Sequence, residues 1–183
     1  MARIKAPRVA GKVAGKAPKE TPPTATTPKE APAGSVPDRI VVGRGEKTGR
    51  STVPDPEGMT TTTLANKSAK PDLPGFLQDA PKDYPHLVGK IKEMFLERMG
   101  LTPVGSRAGV NPEGISSARQ LLQPGGRLTI LQQPTAGETP AQVKTQLKAL
   151  LPKTEWGDIK FTDRGQEGVL VTAKKLYSAL CWD

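Results

Sequence analysis

The sequence is poor in the residues from which sites and cores are usually built. It has one cysteine, Cys181, and one histidine, His86. A lone cysteine excludes an intrachain disulfide and fits a reducing compartment. One His and one Cys cannot assemble a structural zinc site, which takes about four such ligands, so no metal is expected. Aromatic residues make up 4% of the chain and hydrophobic residues 35%, against roughly 45–50% in an average domain counted with glycine. No apolar run approaches the ~18–20 residues of a membrane span. No apolar stretch of the secretory kind follows the basic start. Glycine and proline near that start also weaken a mitochondrial transit helix. The expected location is intracellular, in cytoplasm or nucleus, or in a virion if the protein is viral.

Catalytic patterns are missing too. Paired carboxylates, a Ser/His/Asp set and metal-ligand spacings do not occur. Glu155, Asp158, Asp163 and Glu167 scatter around turns, and His86 stands at a linker–helix junction where it makes a poor general base. The expectation is a non-enzymatic chain with no catalytic residue and no cofactor.

What is present is charge. The net charge is +9. The first nineteen residues hold Arg3, Lys5, Arg8, Lys12, Lys16 and Lys19 with no Asp or Glu. Pro, Gly, Ala, Thr and Lys dominate residues 1–56, which show no helical or strand periodicity, so this stretch reads as a disordered basic arm. A mobile cationic arm has a polyanion as its natural partner. RNA or DNA is expected, held non-specifically by its phosphates. Arg44 and Arg50 join the arm as phosphate contacts. They lie in Gly43-Arg44-Gly45-Glu46-Lys47-Thr48-Gly49-Arg50-Ser51, which follows the apolar run Ile40-Val41-Val42. The loop is not a P-loop. The interval between Gly43 and Gly49 is one residue too long, Arg50 stands where lysine is needed, and Pro54 and Pro56 oppose a following helix.

After a linker at 57–82, the spacing predicts an amphipathic helix over 83–100. Leu87, Ile91, Phe95 and Met99 recur every fourth residue, with Asp83 as N-cap and Gly100 as stop. Their stripe is a candidate partner-binding face, and Trp156 and Trp182 are further candidates. A second linker covers 101–126, with a short helix at Ile115–Leu122. Residues 127–183 form the best folded unit. Arg127–Gln133 reads as a strand, with Leu128 and Ile130 on one face and Thr129 and Leu131 on the other. Thr139, Pro140 and Gln142 make a capping box, and Val143, Leu147, Leu150 and Leu151 form the buried stripe of the helix it opens. Asp158–Thr162 and Gly168–Ala173 follow as strands, and Lys174–Leu180 begins a second helix. Strand, helix, strand, strand is most of a split βαβ unit. The fold class expected is therefore α+β: a small ferredoxin- or RNA-recognition-like module after a disordered half.

The segments Gly126-Arg127-Leu128-Thr129-Ile130-Leu131-Gln132, Gly137-Glu138-Thr139-Pro140-Ala141-Gln142-Val143-Lys144, Asp158-Ile159-Lys160-Phe161 and Gln166-Glu167-Gly168-Val169-Leu170-Val171 together resemble the Gag-like proteins of insect non-LTR retrotransposons. The resemblance covers about the last third of the chain. It implies RNA packaging and self-association. The Cys/His knuckles of that family are absent. The function expected is a nucleic-acid-associated packaging protein whose terminal module mediates assembly. The alternative is an adaptor, or a viral or phage structural subunit, docking through the 87–99 helix and that module.

Overall fold

Short runs of β-branched and aliphatic residues set the centre of this molecule. The computed structural model describes residues 35–44 and 53–177, all within the second of two units, Ala31–Asp183. β1 is Arg39–Val42, β2 Thr61–Ala65 and β3 Leu73–Pro74. A one-turn helix α1, Ala80–Asp83, precedes β4, Ile91–Glu97. Then come α2, Pro112–Leu121, β5, Leu122–Gln132, and α3, Pro140–Leu150. β6, Trp156–Asp163, and β7, Val169–Lys175, complete the order. The strands form one seven-stranded sheet, β3-β2-β1-β4-β5-β7-β6. β3, β2, β1, β4 and β5 run parallel, and β7 runs antiparallel between β5 and β6.

This corrects the expected fold class. The terminal strands do not make a small split βαβ module. They are one flank of a mostly parallel, seven-stranded α/β sheet whose other flank comes from residues 39–97. The stretches read as arm and linker contribute β1, β2 and β3. Ile40 and Val41 are fully buried at the sheet's centre.

The expected helix at 83–100 is likewise replaced, by a 3-10 turn at Pro85–Leu87 and the central strand β4. The reason is burial on two sides. Every residue from Glu93 to Glu97 is buried. A parallel strand covered on both faces reads as a continuous apolar run rather than an alternating one, and Met94-Phe95-Leu96 is such a run. The four-residue recurrence of Leu87, Ile91, Phe95 and Met99 is coincident with it.

Two expectations hold within the C-terminal region. Thr139 accepts from the Gln142 backbone N–H at 3.3 Å while the Gln142 side chain accepts from the Thr139 backbone N–H at 2.8 Å, so the capping box forms. Val143 and Leu147 are fully buried on α3. Lys174 and Lys175, expected to open a second helix, instead end β7.

Register divides the sheet into two unlike faces. One carries Ile40, Val42, Leu64, Met94, Leu96, Leu128, Ile130 and Val171. Side chains of α1, α2 and α3 pack on it, including Ala80, Ile115, Ala118, Leu121, Val143 and Leu147. Among the described residues, all three helices cover this face. The opposite face has a small apolar cluster, Val41, Phe95 and Leu131, with Val53 and Leu170 against it. Its remaining positions are polar: Thr61 and Arg39, Glu93 and Glu97, Arg127 and Thr129, Thr172 and Lys174.

Candidate functional site

In an open α/β sheet, ligands bind beyond the carboxyl ends of the strands, where the strand order reverses. Here that point lies between β1 and β4, since the chain proceeds outward through β2 and β3 and then returns to β4. β1 ends on Val42 and is followed by Gly43 at φ +95°, whose backbone N–H donates to Leu64 O at 2.9 Å. A Cβ on Gly43 would lie 2.7 Å from Glu97 O and 3.1 Å from Met99 Cγ. Glycine is therefore required twice over, by the dihedral and by the close approach of β4. β4 ends on Glu97, and Arg98 N donates onward to Leu131 O at 2.8 Å.

A ladder of charge runs down the polar face from this edge. Arg44 Nε donates to Glu97 Oε2 at 2.8 Å, and Arg44 Nη1 donates to Asp55 Oδ1 at 2.9 Å. Arg39 Nη1 also donates to Asp55 Oδ1, and Arg39 Nε donates to Glu93 Oε1 at 3.2 Å. The Arg39 guanidinium stacks over the Phe95 ring, 5.0 Å from its centroid. Arg39 is 1% exposed, Glu93 6% and Glu97 7%, so these charges are held in low dielectric and depend on one another. Burial works against the Arg44 charge. Hydrogen bonding to Asp55 and the field of Glu97 more than offset it, so its pKa lies above the ordinary arginine value. At the opposite, amino edge, Asp38 Oδ1 pairs with Lys92 Nζ at 2.6 Å, and its Oδ2 accepts from Thr60 N and Oγ1 at 3.1 Å each. The Lys92 bond and then the Thr60 N–H hold the Asp38 carboxyl below its ordinary pKa.

The residues singled out from sequence are dispersed. Arg3, Lys5, Arg8, Lys12, Lys16, Lys19, Arg50 and Trp182 lie outside the described residues. Arg44 is engaged with two carboxylates. Leu87, Ile91, Phe95 and Trp156 are 2%, 0%, 0% and 1% exposed, in this chain's own core, and Met99 packs partly against it. They form no surface stripe for a partner. Sequence reading missed Arg39, Asp55, Glu93 and Glu97. Only β4's identity as a strand, which aligns Glu93 with Arg39, could have found them. Among the described residues, no group of three or more His, Cys, Asp or Glu is placed to hold a metal ion. Among them, no helix is long and apolar enough to cross a membrane.

No family model matches this sequence, and no curated protein does. Solved structures do match. One, from Methanococcus maripaludis, is described as a candidate S-adenosyl-L-methionine-dependent methyltransferase; it is 10% identical with a TM-score of 0.50, over 80% of each chain. The CurJ carbon methyltransferase is 12% identical with a TM-score of 0.48, and the match covers 81% of this chain but only half of that one. A 16S rRNA adenine methyltransferase from Catenulisporales acidiphilia is 13% identical with a TM-score of 0.44, over 77% and 86% of the two chains. At these identities the likeness to the Methanococcus structure establishes the fold and nothing further.

The fold overturns the expectation of a non-enzymatic packaging protein, and with it the expected Gag-like structural role in a retrotransposon or virion particle. The C-terminal assembly module that reading required is part of a Rossmann-like seven-stranded sheet shared with the Methanococcus structure described as a candidate methyltransferase. The adaptor alternative loses its docking helix, since 91–97 is a buried central strand. No comparison bears on the resemblance to the Gag-like family itself.

The Methanococcus structure that shares this fold is described as using S-adenosyl-L-methionine, and the carboxyl edge of this chain can be tested for such a ligand. The backbone places a glycine turn, Gly43, directly after β1 as dinucleotide folds do, with the space of its missing Cβ taken by β4. About twenty residues on, dinucleotide folds place a carboxylate to grip the ribose hydroxyls. Here β2 ends in Ala65 and is followed by exposed Asn66. An amide, which can both donate and accept, stands in place of that carboxylate. Glu97 is the acid that closes β4 at this edge, and Arg44 holds it.

Proposed function

We propose that this chain is a methyl-transfer domain using S-adenosylmethionine at the carboxyl edge of β1 and β4, with RNA or DNA as its macromolecular partner. The observation that carries the reading is the sheet itself. Its order is β3-β2-β1-β4-β5-β7-β6 with an antiparallel β7, and β1 is followed by a glycine at the switch point. Gly43, Asn66 and Glu97 are the residues that would hold the cofactor. Bound there, S-adenosylmethionine supplies an electrophilic methyl group. The chain's own task is to orient and to desolvate. Gly43 turns the chain after β1, the Asn66 amide can donate to hydroxyls while its Oδ1 accepts from Ser68 Oγ, and the Arg44–Glu97 pair fixes the carboxyl end of β4. The nucleic-acid partner is supported by the net charge of +9 and by the six cations of the first nineteen residues, which would neutralise phosphates.

Calorimetric titration of the full chain with S-adenosylhomocysteine tests the cofactor. Saturable one-site binding is expected. Absence of heat at millimolar ligand would reject the reading. Transfer of tritiated methyl to bulk RNA or DNA then tests the reaction, with label in the nucleic-acid fraction expected and label nowhere above background rejecting it.

A further inference from the structure

We infer that a basic groove at the amino edge of the sheet docks a nucleic-acid strand by its phosphates, at the opposite end of the strands from the cofactor crevice. The inference rests on the polyanion partner proposed above and is independent of methyl transfer. The groove is a cavity of about 730 Å³ on the helix-free face. Lys92, Arg127, Lys160 and Lys174 line it, and Glu93 and Asp158 are its two acids.

Lys92 on β4 is engaged by Asp38, and the three cations without a carboxylate come from neighbouring strands β5, β7 and β6. With strands ~4.8 Å apart, they cross ~10 Å of sheet. That is too wide for one small anion and suits an extended chain of charges. Arg127 and Lys174 stand directly opposite each other in the β5–β7 register. Lys160 is opposite Thr172, one pleat from Lys174. Like charges directly opposite destabilise a sheet, and a bound polyanion removes that cost. All four side chains are exposed.

The lining acids leave three of the cations unpaired. Glu93 turns to Arg39 at 3.2 Å, and Asp158 forms no ion pair with a groove cation. Among the described residues no carboxylate pairs with Arg127, Lys160 or Lys174. Gly125 lines the same groove, and a Cβ there would meet nothing nearer than Lys174 Cε at 3.6 Å, so a phosphate can come close to the backbone. The apolar residues lining it are Met59 and Ala173, and the exposed Tyr177 ring beside Gly125 is a surface on which a base can stack.

The test uses the full chain and a fluorescein-labelled single-stranded 20-mer, as RNA and as DNA, read by anisotropy across a salt series. R127Q/K174Q is expected to weaken binding about tenfold at low salt and to lower the slope of log affinity against log salt by about 1.4, the share of two phosphate contacts on a single strand. K82Q/K148Q, exposed lysines on the helices of the other face, should match wild type. K160Q is a lighter variant in case the double one folds poorly, as judged by its urea midpoint, and it should lower the slope by about 0.7. Equal affinity and slope for wild type and groove variants would overturn the inference and leave the partner reading intact. A wild type that binds neither oligonucleotide would overturn both, and S-adenosylhomocysteine binding is scored separately. Groove variants that lose binding to vesicles with about 30% phosphatidylserine, yet keep the oligonucleotide, would overturn it in favour of a membrane.

Discussion

Replacing Gly43 with alanine should cost about 2–4 kcal/mol, and a second glycine shows how the cost divides. Gly43 has φ +95°, and its added Cβ would stand 2.7 Å from Glu97 O, a backbone atom in the central strand. Gly137, in the turn before α3, has φ +88° and nothing within 4 Å of its added Cβ. Gly137→Ala therefore carries the conformational penalty alone, ~1–2 kcal/mol. Gly43→Ala carries the same penalty and must also push β1 away from β4, an overpacking term of about 1–2 kcal/mol. Urea unfolding followed by the fluorescence of Trp156, which is 1% exposed, measures both variants. With a urea slope of about 2 kcal/mol per molar, the Gly43 midpoint should fall by about 1–2 M, and the Gly137 midpoint by about half as much. The slope should not change. S-adenosylhomocysteine binding should be lost in Gly43→Ala at a temperature where the variant is still folded, and kept in Gly137→Ala. Equal midpoint shifts in the two variants would refute the close approach of β1 and β4.

Asp38→Asn should destabilise the chain at pH 7 and progressively less in acid. The native carboxyl is held below its ordinary pKa by Lys92 and Thr60, so its contribution is full above the unfolded value near 4 and is lost as pH falls through the folded one; urea midpoints at pH 7 and across the acid limb check this, and a gap constant with pH would contradict it. Leu147→Ala should cost ~2–5 kcal/mol as a fully buried side chain of α3. Lys148→Ala, next to it and exposed, should stay within about 0.5 kcal/mol; denaturation midpoints that coincide would show the helix face to be misassigned.

The C-terminal third was legible in the sequence because its signals are local. Thr139, Pro140 and Gln142 specify a helix start through contacts within one turn, and that start is where α3 begins. Val169 and Val171 alternate on the strand that pairs antiparallel with both β5 and β6, and the turn between β6 and β7 lies within a few residues of each strand. None of this needs a distant partner.

The other flank was not legible, for the converse reason. Ile40 pairs with Met94 and Phe95 with Thr129, separations of tens of residues that no local pattern encodes. A four-residue strand such as β1 is too short for periodicity. β4, buried on both faces, shows none. The site followed the same rule. The basic and glycine-rich composition marked Arg44 and its loop as special, and nothing local marked Glu97 as its partner. Nothing local marked Arg39 or Glu93 until parallel register set them side by side, with the Arg39 guanidinium over Phe95. The sequence by itself determined the charge of this protein and, through the Thr139–Gln142 capping box, the start of α3. Only tertiary pairing decided that those pieces close one α/β sheet, because a parallel sheet draws its hydrogen bonds and its buried charge pairs from strands that never meet in sequence.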